Sequence, residues 1–311
     1  MVRTAVLTIF LSFMKKLLII FILVSCHLRI KAQDDLMKML DGEKNAPIYT
    51  TATFKSTRII NGQSIETIAK KHLDFRISHR FGAVNSGFDN LWGLDESRIR
   101  IGFEYGITDR LMVGVGRSSY QKTYDYFVKY KLLRQSNQRW HPVTITAFAG
   151  AYTNTLPTSP SMPFYNNLER QTYAGQLLIA RKMSEKFSLQ ISPTFIHRNK
   201  TETAIDENDV YALGIGGRFK LSKRVSFNAD YFYTLKQLGT AYIRDPTYKD
   251  CLSVGFDIET GGHVFQLHFS NSRGMIENQF IAATPGTWSN GDIFYGFNIS
   301  RVFSFDKKEK K

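Results

Sequence analysis

Strict alternation of apolar and polar residues, repeated in segment after segment from residue 70 onward, is the feature that most constrains this chain. In the stretch 123–133, for example, Tyr124, Tyr126 and Val128 alternate with Asp125 and Lys129. A period of two predicts a β-strand with one apolar and one polar face. The pattern predicts twelve strands, at roughly 71–81, 97–107, 110–118, 123–133, 142–153, 171–182, 186–197, 209–221, 224–235, 250–259, 263–272 and 291–304.

The predicted strands are long. Strands of soluble sheets usually have about five or six residues, whereas about 9–11 tilted residues cross a hydrocarbon core. Aromatic residues gather near the strand ends, as at Tyr105, Phe187 and Tyr233, which is typical of the two aromatic girdles of a membrane barrel. Strand length and aromatic position together predict that the apolar faces contact lipid and that the polar faces line a lumen.

The connections between the predicted strands sort into two kinds. Tight turns at 108–109, 184–185, 222–223 and 260–262 alternate with long polar loops at 154–170, 198–208, 236–249 and 273–290. Bacterial outer-membrane barrels have short periplasmic turns and longer outer loops. We therefore expect an all-β fold, a transmembrane antiparallel up-and-down β-barrel of about twelve strands, in an outer membrane. A fourteen-strand version would need another crossing within 33–49. The expected partners are the bilayer, outer-membrane lipids and the barrel-insertion machinery.

The N-terminus has the pattern of a secretory signal. A basic start at Lys15 and Lys16 is followed by an apolar run too short to span a bilayer, with Ala32 as the predicted cleavage site. Translation could also begin at Met14, and a lipoprotein signal with Cys26 as the lipidated residue is the alternative. The predicted domains are a signal peptide at 1–32, a periplasmic or lumen-plugging segment at 33–69, a barrel at 70–305 and a basic periplasmic tail at 306–311.

Within the segment before the barrel, residues 33–49 suit a short amphipathic helix or a mobile arm. Residues 50–62, "TTATFKSTRIING", are strand-like but lack a cleanly apolar face. We expect this stretch to pair inside the lumen or to lie below the barrel.

Several longer motifs extend over the chain from about residue 48 to residue 305. They are "TATFKSTRIINGQSIE", "ISHRFG", "LWGLDESRIRIGFEYGITDRLMVGVGRSS" and the closing "YGFNISRVF". Through them the chain resembles an uncharacterised family of predicted outer-membrane β-barrel proteins of Gram-negative bacteria. The resemblance implies a barrel fold and an outer-membrane location, and it brings no activity with it.

Charged residues on the polar faces are the main candidates for function. The predicted lumen-lining set is Arg76, Arg80, Arg98, Arg100, Glu104, Lys129, Lys131, Arg218, Asp230 and Asp257. Buried charges must be paired or hydrated. One interpretation is a network of ion pairs that fixes a narrow, closed interior. The other is a weakly anion-selective passage or a pocket for an acidic solute, with Arg76, Arg80, Arg98 and Arg100 as the attracting cluster.

An enzymatic alternative rests on His268 and Ser270, which lie two positions apart on one strand face, a spacing that could let imidazole activate a hydroxyl. Their predicted lumen position favours a polar lining over a lipid hydrolase. The scattered histidines predict neither a metal site nor a cofactor, and the alternation of basic with apolar residues argues against nucleic-acid binding. The favoured function is non-enzymatic: a barrel that passes or binds small solutes, anionic ones among them, or serves as a structural membrane protein.

Overall fold

The computed structural model describes residues 47–160, 163–203, 206–235 and 245–305. Contacts divide the chain into two units, residues 1–48 and 49–311, and the barrel lies in the second. The predicted signal peptide, nearly all of the arm at 33–49 and the basic tail lie outside the described residues.

Twelve antiparallel strands close into one barrel, in which every strand pairs with its sequence neighbours and the first pairs with the last. This confirms the predicted fold, and closure at twelve strands leaves no place for the fourteen-strand alternative. The strands are β1 (His72–Ala83), β2 (Ser97–Gly106), β3 (Leu111–Ser118), β4 (Thr123–Leu133), β5 (Thr144–Asn154), β6 (Gln171–Lys182), β7 (Phe187–Arg198), β8 (Asp209–Lys220), β9 (Val225–Thr234), β10 (Cys251–Thr260), β11 (His263–Ser270) and β12 (Phe294–Ser304).

The two ends of the barrel differ in their connections. The turn end carries 107–110, 134–143, 183–186, 221–224 and 261–262, and the loop end carries 84–96, 119–122, 155–170, 199–208, 235–250 and 271–293. Two connections depart from the simple rule, because 119–122 is short at the loop end and 134–143 is longer at the turn end. In the part of the chain that the structure describes, helical structure is limited to 3-10 turns at Val84–Ser86, Phe88–Gly93 and Tyr120–Lys122 and to one helical turn, α1 (Glu277–Phe280). Within the described residues, no helix has the length and apolar character to cross a membrane.

Strand β2 shows how the two faces are used. Ile101, Phe103 and Tyr105 point outward and are exposed, whereas Arg100 and Glu104 point inward and have at most 1% of their surface exposed. Apolar side chains on the outside and charged ones inside are the reverse of a soluble sheet, and they are what a lipid-facing barrel requires. The face assignment made from the sequence is therefore confirmed.

Glycines in the strands make room for large inward side chains. A Cβ on Gly114 of β3 would lie 2.2 Å from the ring of Phe127, which packs into the lumen against Phe148 at 5.6 Å between ring centroids. Only a residue without a side chain fits at that position.

Candidate functional site

Residues 53–68, which precede β1, lie inside the barrel and are here called the lumen segment. Most of the segment is buried, including Thr57, Ile60 and Asn61, each with at most 2% of its surface exposed. Its middle forms a tight hairpin, closed by a β-bridge between Arg58 and Gln63 and by the hydrogen bond from Ile59 N to Gly62 O at 2.8 Å. The barrel therefore encloses a piece of its own chain.

One wall carboxylate holds the tip of this hairpin. Oδ2 of Asp230, in β9, accepts hydrogen bonds from the backbone N–H groups of Ile60, Asn61 and Gly62 at 3.1, 2.9 and 2.9 Å. Gly62 approaches the wall so closely that a Cβ there would lie 2.8 Å from the ring of Phe232. Three N–H groups on one carboxylate oxygen fix the position of the tip inside the lumen.

The side chain of Asn61 adds a second anchor, on strands that follow β9 around the barrel. Its Nδ2 donates to Ser253 Oγ at 2.9 Å and to Ser270 Oγ at 3.1 Å, and its Oδ1 accepts from Arg80. The tip of the lumen segment is thus joined to β1, β9, β10 and β11.

Three wall bases donate to uncharged oxygens of the lumen segment or of Ala52, the residue that precedes it. Lys129 Nζ donates to the carbonyl of Thr57 at 2.7 Å, Arg80 donates to Asn61 Oδ1, and Arg218 Nη1 donates to the carbonyl of Ala52 at 3.0 Å. Among the described residues, none of these three bases has a carboxylate at ion-pair distance. These contacts give each base a hydrogen-bond acceptor but no opposite charge.

The last loop-end connection also turns into the barrel. Residues 275–284, here called the inward loop, include α1, and Ile276, Phe280 and Ile281 are at most 1% exposed. Phe280 packs edge-on against Phe232 of β9 at 5.1 Å between ring centroids. Two segments thus occupy the interior of the barrel: the lumen segment, which precedes β1 in the chain, and the inward loop, which enters from the loop end.

Glu277 of the inward loop is the point where the two internal segments meet. Its carboxylate accepts hydrogen bonds from Arg58 Nη1 at 3.1 Å and Gln63 Nε2 at 2.9 Å, both from the lumen segment. It also accepts from Tyr152 Oη of β5 at 2.7 Å. All four residues are at most 3% exposed. A buried ion pair with two further hydrogen bonds therefore joins lumen segment, inward loop and wall.

The structure places the predicted lumen-lining residues as follows. Eight of the ten are buried on the inward face, and their exposed fractions run from 0 to 6%. They are Arg76, Arg80, Arg100, Glu104, Lys129, Arg218, Asp230 and Asp257. Lys131 is half-buried, and its Nζ lies 3.7 Å from Glu66 of the lumen segment. Arg98 is exposed near the loop-end start of β2.

Three of the four arginines of the expected attracting cluster, Arg76, Arg80 and Arg100, have separate partners. Arg100 forms a two-point ion pair with Asp125 of β4 at 2.9 and 2.5 Å. Arg76 pairs with Asp74 at 3.1 Å and also donates to Ser56 and Thr57 of the lumen segment. The structure brings together wall charges and the lumen segment, and it does not bring the arginines together as a free cluster.

The predicted hydrolase pair lies inside the barrel and is not joined by a hydrogen bond. Ser270 Oγ is bonded to Asn61 and to Ser253, both at 3.1 Å, while neither ring nitrogen of His268 has a partner among the described residues. Both residues are at most 1% exposed. Imidazole cannot activate this hydroxyl in the observed arrangement.

No group of three His, Cys, Asp or Glu side chains that could hold a metal occurs in the part of the chain that the structure describes. Two acidic residues at the connection between β7 and β8 lie beside bases, because Asp206 is 2.7 Å from Arg198 and Asp209 is 2.5 Å from His197.

Two cavities flank the junction of the internal segments. One of about 190 Å³ lies at the turn end between the lumen segment, including Ser56 and Thr57, and the wall residues Asp74 and Arg76. A smaller one of about 50 Å³ lies at the loop end, lined by residues that include Asn278 of the inward loop. Each internal segment thus borders a cavity at its own end of the barrel.

Three residues that hold the interior together are absent from the predicted set: Arg58, Asn61 and Glu277. Arg58 and Asn61 could have been found from the stretch 50–62, because this strand-like stretch lacks an apolar face. The apolar run "MIENQFIAA" at 275–283 is the signal for the third, because an outer loop exposed to water has no need for such a run.

A closed barrel with a lipid-facing apolar surface and a polar, charged interior defines an outer-membrane β-barrel protein. Residues 54–303 match the model of a family described as a membrane-bound β-barrel domain (DUF5777), and the chain belongs to this family. A comparison with curated proteins finds no match.

Solved structures with a similar fold are outer-membrane barrels. The KdgM porin is 9% identical, with 75% of this chain and 99% of that chain covered and a TM-score of 0.44. An outer-membrane channel from Pseudomonas putida F1 is 13% identical, with 77% and 98% covered and a TM-score of 0.46. The outer-membrane phospholipase A from Escherichia coli is 9% identical, with 76% and 91% covered and a TM-score of 0.42.

Proposed function

We propose that this protein is a channel for small polar solutes that is closed by the lumen segment and opens when that segment leaves its position. The observation that carries the proposal is the completeness of the barrel without the segment. Strand β1 pairs directly with β12, so the lumen segment contributes to no strand pairing of the wall. It can move without breaking the barrel.

The contacts that hold the segment are of a kind that water can replace. Most are hydrogen bonds to wall side chains, such as those of Asp230, Lys129 and Gln190. A bond between neutral groups contributes about 0.5–1.5 kcal/mol net and one to a charged side chain such as Asp230 or Lys129 about 1.5–3 kcal/mol, because water offers the same partners. Ile60 and Ile65, each at most 2% exposed, add roughly 1.5–3 kcal/mol apiece and favour the closed state.

The charge left on the wall favours anions. Lys129, Arg80 and Arg218 donate to uncharged groups of the lumen segment or of Ala52 beside it, whereas Asp230 and Glu104 accept from it. Its departure therefore exposes three bases and two carboxylates to a water-filled lumen, a net charge of 3 − 2, or +1. Inside a low-dielectric wall, unneutralised bases raise the local concentration of anions. The proposed solutes are therefore small anions.

Current through planar bilayers tests the proposal. We expect the full chain to be closed for most of the time and a variant lacking residues 50–66 to give a steady, anion-biased current. Changing Arg80 and Lys129 to Gln in that variant should shift the reversal potential toward cations. A second variant, lacking residues 275–284 as well, removes the inward loop. If both deletion variants fold as heat-modifiable barrels and neither conducts, the channel function is wrong.

A further inference from the structure

The two ends of the barrel carry opposite charge. The turn-end connections contain six Lys or Arg residues and two acidic residues, which gives 6 − 2, or +4. The loop-end connections contain seven Lys or Arg residues and eleven acidic residues, which gives 7 − 11, or −4. The positive charge of the barrel ends is thus concentrated where the short turns lie.

Most basic side chains of the turn end are accessible to a binding partner. Arg110, Arg139, Lys186, Lys223 and Arg224, here called the turn-end bases, are all exposed. Among the described residues, none of the five lies at ion-pair distance from a carboxylate.

Bases of the loop end are more often neutralised. Lys200 lies 2.9 Å from Glu169, and Arg273 lies 3.4 Å from Glu96. The proximity of Lys200 lowers the pKa of Glu169, which keeps that partner charged. More of the unneutralised positive charge therefore lies at the turn end.

Apolar side chains accompany the turn-end bases. Trp140 is 82% exposed, and Leu221 and Phe305 are also exposed. On the outward face of the strands near the same end, Arg301 lies over the ring of Phe303 at 5.0 Å. Aromatic and long basic side chains with an apolar stem and a charged head are typical of the membrane interface.

We propose that the turn end binds the phosphate groups of anionic phospholipids in the leaflet that surrounds it. The apolar neighbours continue the lipid-facing band of the barrel, which favours a lipid over an acidic soluble protein as the partner. A basic residue near an anionic membrane surface strengthens binding roughly fivefold, and the effect falls off within a Debye length. Several bases on one rim are expected to select anionic over zwitterionic lipids.

Native mass spectrometry of the full chain in mild detergent tests this surface. The protein is mixed with equal amounts of phosphatidylglycerol and phosphatidylcholine that carry the same acyl chains, and the retained lipids are counted. We expect phosphatidylglycerol to be retained preferentially, and the preference to weaken as ammonium acetate is raised. Arg110→Gln, Arg139→Gln and Lys186→Gln together should lower the preference at least tenfold.

The matched control changes three loop-end bases, Lys122→Gln, Lys249→Gln and Arg273→Gln, and should retain the preference of the parent. Heat-modifiable gel mobility shows that each variant is folded. Equal retention of the two lipids by the parent would overturn the proposal and favour an acidic soluble partner. An equal loss in the turn-end and loop-end variants would overturn it as well, because the effect would then be one of net charge.

Discussion

Asp230→Ala is the substitution that should open the barrel most directly. It removes the acceptor of three backbone N–H groups at the tip of the lumen segment, at 2.9–3.1 Å. Hydrogen bonds to a charged group contribute roughly 1.5–3 kcal/mol each. In the closed state of the variant these N–H groups lose their acceptor, whereas in the open state water satisfies them in parent and variant alike. We therefore take the loss of one bond, about 1.5 kcal/mol, as the smallest destabilisation of the closed state. That corresponds to a roughly tenfold rise in the ratio of open to closed channels.

Single-channel recording in planar bilayers measures this ratio. Asp257→Ala is the comparison variant, because Asp257 is also a buried lumen carboxylate but reaches the lumen segment only through Gln266, which donates to Asp257 at 2.7 Å and to the carbonyl of Ile59. We expect this variant to change the ratio much less than Asp230→Ala does, and Asp230→Asn, which retains an uncharged acceptor, to fall between the parent and Asp230→Ala. An open-to-closed ratio that is equal in the parent, Asp230→Ala and Asp257→Ala would refute the reasoning.

Three further predictions follow from the same contacts. Arg58→Gln and Glu277→Gln should each raise the open fraction, and the double variant should add little, because the two side chains form one ion pair at 3.1 Å; additive effects in the recordings would contradict this. Asp125→Asn should lower thermal stability by about 3–5 kcal/mol, since it leaves the Arg100 guanidinium buried without its carboxylate, and should leave the open fraction unchanged. The thiol of Cys251, fully buried and 3.8 Å from Asn61 Nδ2, should react slowly with a water-soluble maleimide in the parent and faster in Asp230→Ala; equal rates would speak against a moving segment.

The wall of the barrel was predictable because, in most strands, the local sequence alone distinguishes the lipid-facing side chains from the lumen-facing ones. Alternation in β2 separates Arg100 and Glu104 from Ile101 and Phe103, and no distant residue is needed to read it. Loop asymmetry then gives the orientation, and the parity of the crossings gives the strand count.

The interior was less predictable because its partners lie far apart in the chain. Arg58 and Glu277 are separated by 219 positions, and nothing local in either stretch identifies the other. Arg100 had more than one lumen carboxylate within reach, and only the register of β2, β3 and β4 brings Asp125 to it rather than Glu104. The sequence indicates which residues face the lumen, and the closed register decides which of them pair.

The most direct test of the central claim is a disulfide that ties the lumen segment to the wall. Asn61→Cys and Ser253→Cys place two thiols where the native side chains are joined by a hydrogen bond at 2.9 Å. Cys26→Ser and Cys251→Ser remove the native thiols, and Asn61→Cys alone is the control. We predict that the oxidised double-cysteine protein carries no current and that reduction restores openings within the same recording. Equal current before and after reduction, with the disulfide verified by mass spectrometry, would contradict a channel closed by its own lumen segment.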